Sequence, residues 1–181
     1  MKSGKIIITL TGQPSVAGSQ RIVTFDQFMV NGNLIEGTKT ITYNGNGQYS
    51  IMLVGGKLTT AEGKVITREA NRIRTIIAGQ DTEDRKDNVF EVTGVVSGET
   101  SGGFVYTKEI IEPLIVSRDC FWVTKGLIEA TVGDYAYSIN FGDGTCDNLA
   151  TKIVDGEEEQ FTMEMRIRKM WLKRWKEHRG N

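Results

Sequence analysis

One histidine, His178, is present among 181 residues. A histidine-based triad would therefore need the C-terminal segment to fold back into a site, and zinc lacks its usual ligands. Cysteines are almost as scarce: Cys120 and Cys146, with no C-x-x-C redox pair. No apolar run approaches the roughly 18 residues of a transmembrane helix. At the N-terminus, Lys2 and Lys5 precede only Ile6–Ile8 and Leu10. That run is too short for a signal-peptide core, and no cleavage site follows it. The reading is a cytoplasmic chain or one whose export signal is missing. No nucleophile elbow, phosphate loop or metal triad occurs, so no catalytic residue and no cofactor is expected. The formal net charge of −1 gives no steering toward nucleic acid, which is not expected as a partner.

Glycine, by contrast, is abundant, with 21 residues against two prolines. Such a chain suits many tight turns and bulges. Hydrophobicity alternates with period two nearly throughout. Tyr49, Ile51 and Leu53 form one face; Phe90, Val92 and Val96 another; Tyr135, Tyr137, Ile139 and Phe141 a third. Phe161, Met163, Met165 and Ile167 continue the rule. Turn signals fall at 30–33, 44–47, 54–56, 97–103, 124–126, 132–134 and 154–157. Asn-Gly and Asp-Gly between alternating runs signal hairpins. The prediction is an all-β fold: an antiparallel sandwich or rolled meander of roughly 10–13 strands.

Residues 1–167 read as a single all-β domain, with candidate halves 1–80 and 88–167. "FMVNGNLIEGT" (28–38) resembles "FEVTGVVSGET" (90–100), and "KLTTAEGKVIT" (57–67) resembles "LIEATVGDYAY" (127–137). Duplication or chance likeness among Gly-rich strands accounts for both pairs. The acidic stretch "GQDTEDRKDN" (79–88) reads as a solvated linker. Residues 168–181 form a basic tail, either a short amphipathic helix or disordered. Between Arg166 and Arg179 the charge is +6, leaving about −7 on the remainder. Trp171 and Trp175 recur at helical spacing beside Arg174, a pattern suited to an anionic membrane surface or a partner.

The stretch "INFGDGTCDN" (139–148) is the most distinctive. Asp143, Asp147 and Asn148 supply oxygens for a hard cation, yet their spacing is not that of a calcium loop. Gly142 and Gly144 around one Asp suit a tight turn with positive φ. Read as a simple meander with strands over 119–125, 127–133 and 135–141, the chain puts Cys120 and Cys146 too far apart to bond. A disulfide then needs another path; a semi-buried thiol is the alternative. Trp122, Tyr135 and Tyr137 are expected on neighbouring strands, as core or as a stacking surface for sugar rings.

The run "CFWVTKGLIEATVGDYAYSINFGDGTCDNLATKIVDGE" resembles the C-terminal part of an uncharacterised family of secreted proteins and lipoproteins of Bacteroidota-type bacteria. "GKIIITLTG", "TFDQFMVNGNLIEGTKTIT" and "NRIRTIIAGQDTEDRKDNVFEVTGVVSG" are similar to its earlier segments. The GDGTCDN-like string is the most specific piece. The resemblance implies an exported, envelope-associated all-β protein and transfers no catalytic residue. The family usually carries a signal peptide and a further β segment before "GKI". Self-association through an exposed N-terminal edge is expected if that segment normally pairs there.

Three functional readings follow. The first is a non-enzymatic cell-envelope or secreted β-domain, structural or adhesive. The second is a binding module for a cell-surface glycan or another envelope component. The third is a hydrolase using a carboxylate pair assembled by the fold.

Overall fold

The computed structural model describes residues 1–164. These residues are all-β: eleven antiparallel strands in one open sheet. The strands are β1 (Lys2–Leu10), β2 (Gln20–Val30), β3 (Asn33–Gly45), β4 (Gln48–Thr59) and β5 (Val65–Ala78). Then come β6 (Val89–Glu99), β7 (Val105–Ser117), β8 (Val123–Val132), β9 (Tyr135–Asp143), β10 (Leu149–Val154) and β11 (Glu157–Thr162). Sheet order equals chain order, so each strand is bonded to its sequence neighbours. The 79–88 stretch forms the loop between β5 and β6 and holds one short 3-10 turn, Arg85–Asp87. The tail residues Trp171, Arg174, Trp175 and His178 lie outside the described residues.

Directly opposed residues in an antiparallel ladder share a face. One row runs Leu10, Arg21, Ile41, Ile51, Arg72, Gly94, Ile110, Ile128 and Ile139. The next begins at Tyr43 and continues through Tyr49, Arg74, Val92 and Leu114. This face is aliphatic and aromatic, with arginines set into it. Its reverse carries Thr24, Thr40, Ser50, Asn71, Thr93, Glu109, Glu129 and Ser138, with exposed Ile7, Met52, Ile73 and Val95 among them. The alternation predicted for 49–53, 90–96 and 135–139 is the alternation between these two faces.

Burial is shallow. Phe90, Val96, Leu114, Cys120, Ala130 and Ala150 are the buried apolar residues among those described. No large side chain among them is fully withdrawn from solvent. Apolar contact in this sheet is made mainly sideways, between strands, rather than against an opposing layer.

Two of the expected turns are bulges. "VGG" at 54–56 lies inside β4, where the register with β5 shifts between Leu53 and Gly56. "TKG" at 124–126 lies inside β8, with a shift between Lys125 and Leu127. Gly126 has φ +115°, and a Cβ there would meet the Pro113 carbonyl oxygen at 2.5 Å. Only glycine lets β8 pass this close to β7. The proposed repeat at 28–38 and 90–100 joins unlike structures: the first spans the β2–β3 turn, the second lies along β6 to its end. The pair 57–67 and 127–137 does join two hairpins.

Candidate functional site

Cys120 and Cys146 form a disulfide, with Cα atoms 5.8 Å apart. This corrects the meander argument that separated them. Because 124–126 is a bulge, β8 is one long strand from Val123 to Val132. β9 returns along it and ends where β8 starts, with Lys125 opposite Asp143. The loops holding the two cysteines therefore meet at one end of the sheet. Cys120 is buried and Cys146 exposed.

The loop at 139–148 is built on side-chain acceptors. Asn140 Oδ1 accepts from the Gly142 N–H at 2.9 Å, Asp143 Oδ1 from the Thr145 N–H at 2.9 Å, and Asp147 Oδ1 from the Leu149 N–H at 2.9 Å. Each is a local bond two residues along, the usual use of Asn and Asp in turns. Gly142 and Gly144 both have positive φ, +94° and +118°. Hydrogen bonds from the Thr145 backbone and side chain hold the Asp143 carboxyl below its ordinary pKa. Among the described residues no group of three or more His, Cys, Asp or Glu converges as a metal site would require.

The sequence-expected aromatics divide. Tyr135 and Tyr137 stand on the same face of β9, ring centroids 5.7 Å apart. Lys152 of β10 lies over both, its Nζ 5.2 and 5.4 Å from the centroids. Its ammonium pKa is raised, first by a hydrogen bond with Tyr135. Trp122 does not join them. It precedes β8, whereas Tyr137 is opposite Ala130, eight residues along the strand and so about 26 Å away. The three cannot form one stacking platform.

A second aromatic system escaped the sequence reading. On the apolar face, Tyr43 and Tyr49 have ring centroids 5.0 Å apart. Arg74 lies between rings, its Cζ 5.0 Å from the Tyr49 centroid and 4.8 Å from that of Phe90. Arg118 covers Phe90 at 5.6 Å. Burial, then the nearby Arg118 and Arg21, push the Arg74 pKa down, against an opposing pull from Tyr49. Its Nε is buried without a hydrogen-bond partner. The ion pair found among the described residues, Lys57–Glu36 at 3.1 Å, lies elsewhere. In front of this ladder opens a cleft of about 550 Å³, lined from β1 to β5 by Ile8, Leu10, Arg21, Ile41, Tyr43, Tyr49 and Arg74, with Gly12, Pro14, Ser19 and Gln20 from the β1–β2 connection and its border. The available signal was "NRIRTII": Arg72 and Arg74 occupy the alternate positions that Ala70 and Ile76 mark as apolar.

Carboxylates do pair across strands. Glu109 of β7 faces Glu129 of β8 directly. Both are exposed on the reverse face, and neither lines the cleft. No protein-family model, curated protein or solved structure matches the chain.

Proposed function

We propose that this chain is a non-enzymatic β-domain of the cell envelope or of a secreted protein, with a structural or adhesive role. The observation that carries the reading is the Cys120–Cys146 disulfide. Disulfides form and persist in oxidising compartments and are rare in the cytosol. The open, shallowly buried sheet supports it further, since it offers two broad faces and holds its acidic pair on an exposed one. The GDGTCDN-like resemblance to exported proteins agrees with the same setting.

Fractionation of source cells with a specific antibody tests the reading. Protein in the envelope or the medium, with both cysteines unreactive until reduced, is the expected result. A cytosolic protein with two free thiols overturns it.

A second reading is glycan binding, favoured by the Tyr135–Tyr137 pair beneath Lys152. Aromatic rings stack on sugar rings, and Tyr135 keeps 45% of its surface exposed although Lys152 lies over one face of its ring. A glycan array probed with the chain and with Tyr135→Ala decides it. Binding lost in the variant supports this reading, and an array without signal removes it.

A further inference from the structure

We propose that the cleft across β1–β5 binds a single-chain anionic amphiphile of the fatty-acid class. Its carboxylate would lie between Arg74 and Arg21, and its acyl chain along Ile41, Leu10 and Ile8. The proposal goes beyond the envelope or secreted role and does not depend on it.

Charge is the first argument. Arg74 is half withdrawn from water, has no acidic partner among the described residues, and keeps Nε buried without a hydrogen bond. Its charged neighbours, Arg118 and Arg21, carry the same sign. The rings of Tyr49 and Phe90 offer only their faces. A desolvated cation among cations is costly unless an anion joins it. A bound carboxylate supplies that anion, in the geometry a guanidinium fork prefers.

Apolar surface is the second. On the β1 side the cleft is walled by Ile8 and Leu10, 59% and 57% exposed. Beyond Arg21, Ile41 continues the row toward the tyrosines. Apolar walls flanking arginines are the complement of an amphiphile, not of a sugar or a free small anion. A volume of about 550 Å³ falls within the range of small-molecule sites, about 300–1,000 Å³. From Ile41 to β1 is about 10 Å, and Leu10 to Ile8 adds about 7 Å along the strand, together enough for an acyl chain.

The test uses the full chain after lipid extraction. Calorimetric titration compares dodecanoate, kept below its micelle concentration, with 1-dodecanol and acetate. Saturable 1:1 binding of dodecanoate is expected, at least tenfold tighter than either control. Arg74→Met should weaken it tenfold or more, with Arg74→Lys intermediate. Since Arg74 sits mid-sheet, the exposed Arg21→Met and Ile8→Ser serve as variants that keep the fold; each should weaken binding severalfold. Equal binding of dodecanol would mean that the arginines read no charge. Equal binding of acetate would mean that the wall reads no chain. Either result, or no saturable binding, or full binding by folded Arg74→Met, overturns the proposal.

Discussion

Lys125 of β8 stands opposite Asp143 of β9, and this register pair brings Cys120 and Cys146 to the same end of the sheet. The crosslink closes a sequence separation of 26 residues. A loop of that size corresponds to about 3.5 kcal/mol of stabilisation in the chain-entropy account. The double variant Cys120→Ser/Cys146→Ser should melt about 6–12 °C lower, a shift readable by circular dichroism. An unchanged melting temperature would mean that the loop ends are held without the bond.

Glycine substitutions should rank by what surrounds the Cβ. At Gly126 both the φ of +115° and the Pro113 carbonyl oxygen oppose a side chain. At Gly144, φ is +118° but nothing lies within 4 Å. Gly144→Ala should therefore cost about 1 kcal/mol, and Gly126→Ala about 2 kcal/mol or more. Urea unfolding of the two variants compares them, and the reverse order would refute the close passage of β8 along β7.

Glu109 and Glu129 repel one another across the ladder. Directly opposed like charges destabilise a sheet by roughly 0.2–1 kcal/mol. Glu129→Gln should raise stability by about that amount at low ionic strength. The gain should shrink as added salt screens the wild-type pair. A gain indifferent to salt would point to a cause other than charge.

Asp143 gives an acid limb to the stability curve. Its carboxyl pKa is lower in the folded chain than in the unfolded one, through its bonds with Thr145. The stabilisation is therefore complete above the unfolded value, about 3.9, and fades as pH falls through the lower folded value. Asp143→Asn keeps an acceptor but cannot titrate, so its denaturation midpoint should change less between about pH 5 and pH 2. Parallel curves for the two proteins would contradict the assignment.

Among the described residues β1 is an edge strand with one side unpaired, exposed along its whole length. Such edges recruit further strands. The chain should self-associate with concentration in light scattering. Ile7→Lys, placed on the face away from the cleft, should reduce that association. Concentration-independent monomers in both cases would count against it.

Much of this fold was legible because sheets write their faces into sequence with period two. Tyr49, Ile51 and Leu53 share a face as expected, and Asn-Gly at 31–32 and 46–47 turns the chain as expected. The reading failed where glycine has two uses. Positive φ serves a hairpin turn and a bulge alike, so "VGG" and "TKG" looked like turns. The second misreading broke β8 in two and separated the cysteines. The cleft was missed for another reason. Arg74 gains its setting from Tyr49 on β4 and Phe90 on β6, which lie 25 and 16 positions away. Local pattern marks an arginine in an apolar row but cannot say which rings enclose it. Trp122 shows the converse error, since closeness in sequence to β8 and β9 did not bring it to the tyrosines.

Strict agreement of sheet order with chain order makes the described structure nearly one-dimensional. Cooperativity in such an array passes from neighbour to neighbour, as in repeat proteins. Fraying should begin at β1 and β11 and move inward, so amide exchange protection should rise toward β5–β7 rather than fall uniformly. Contacts between adjacent hairpin strands also span short stretches of chain, which favours rapid zipping from any well-formed turn over a search for distant partners. The sheet then behaves less like a closed solid than like a ribbon, able to lose an outer strand while its middle remains folded.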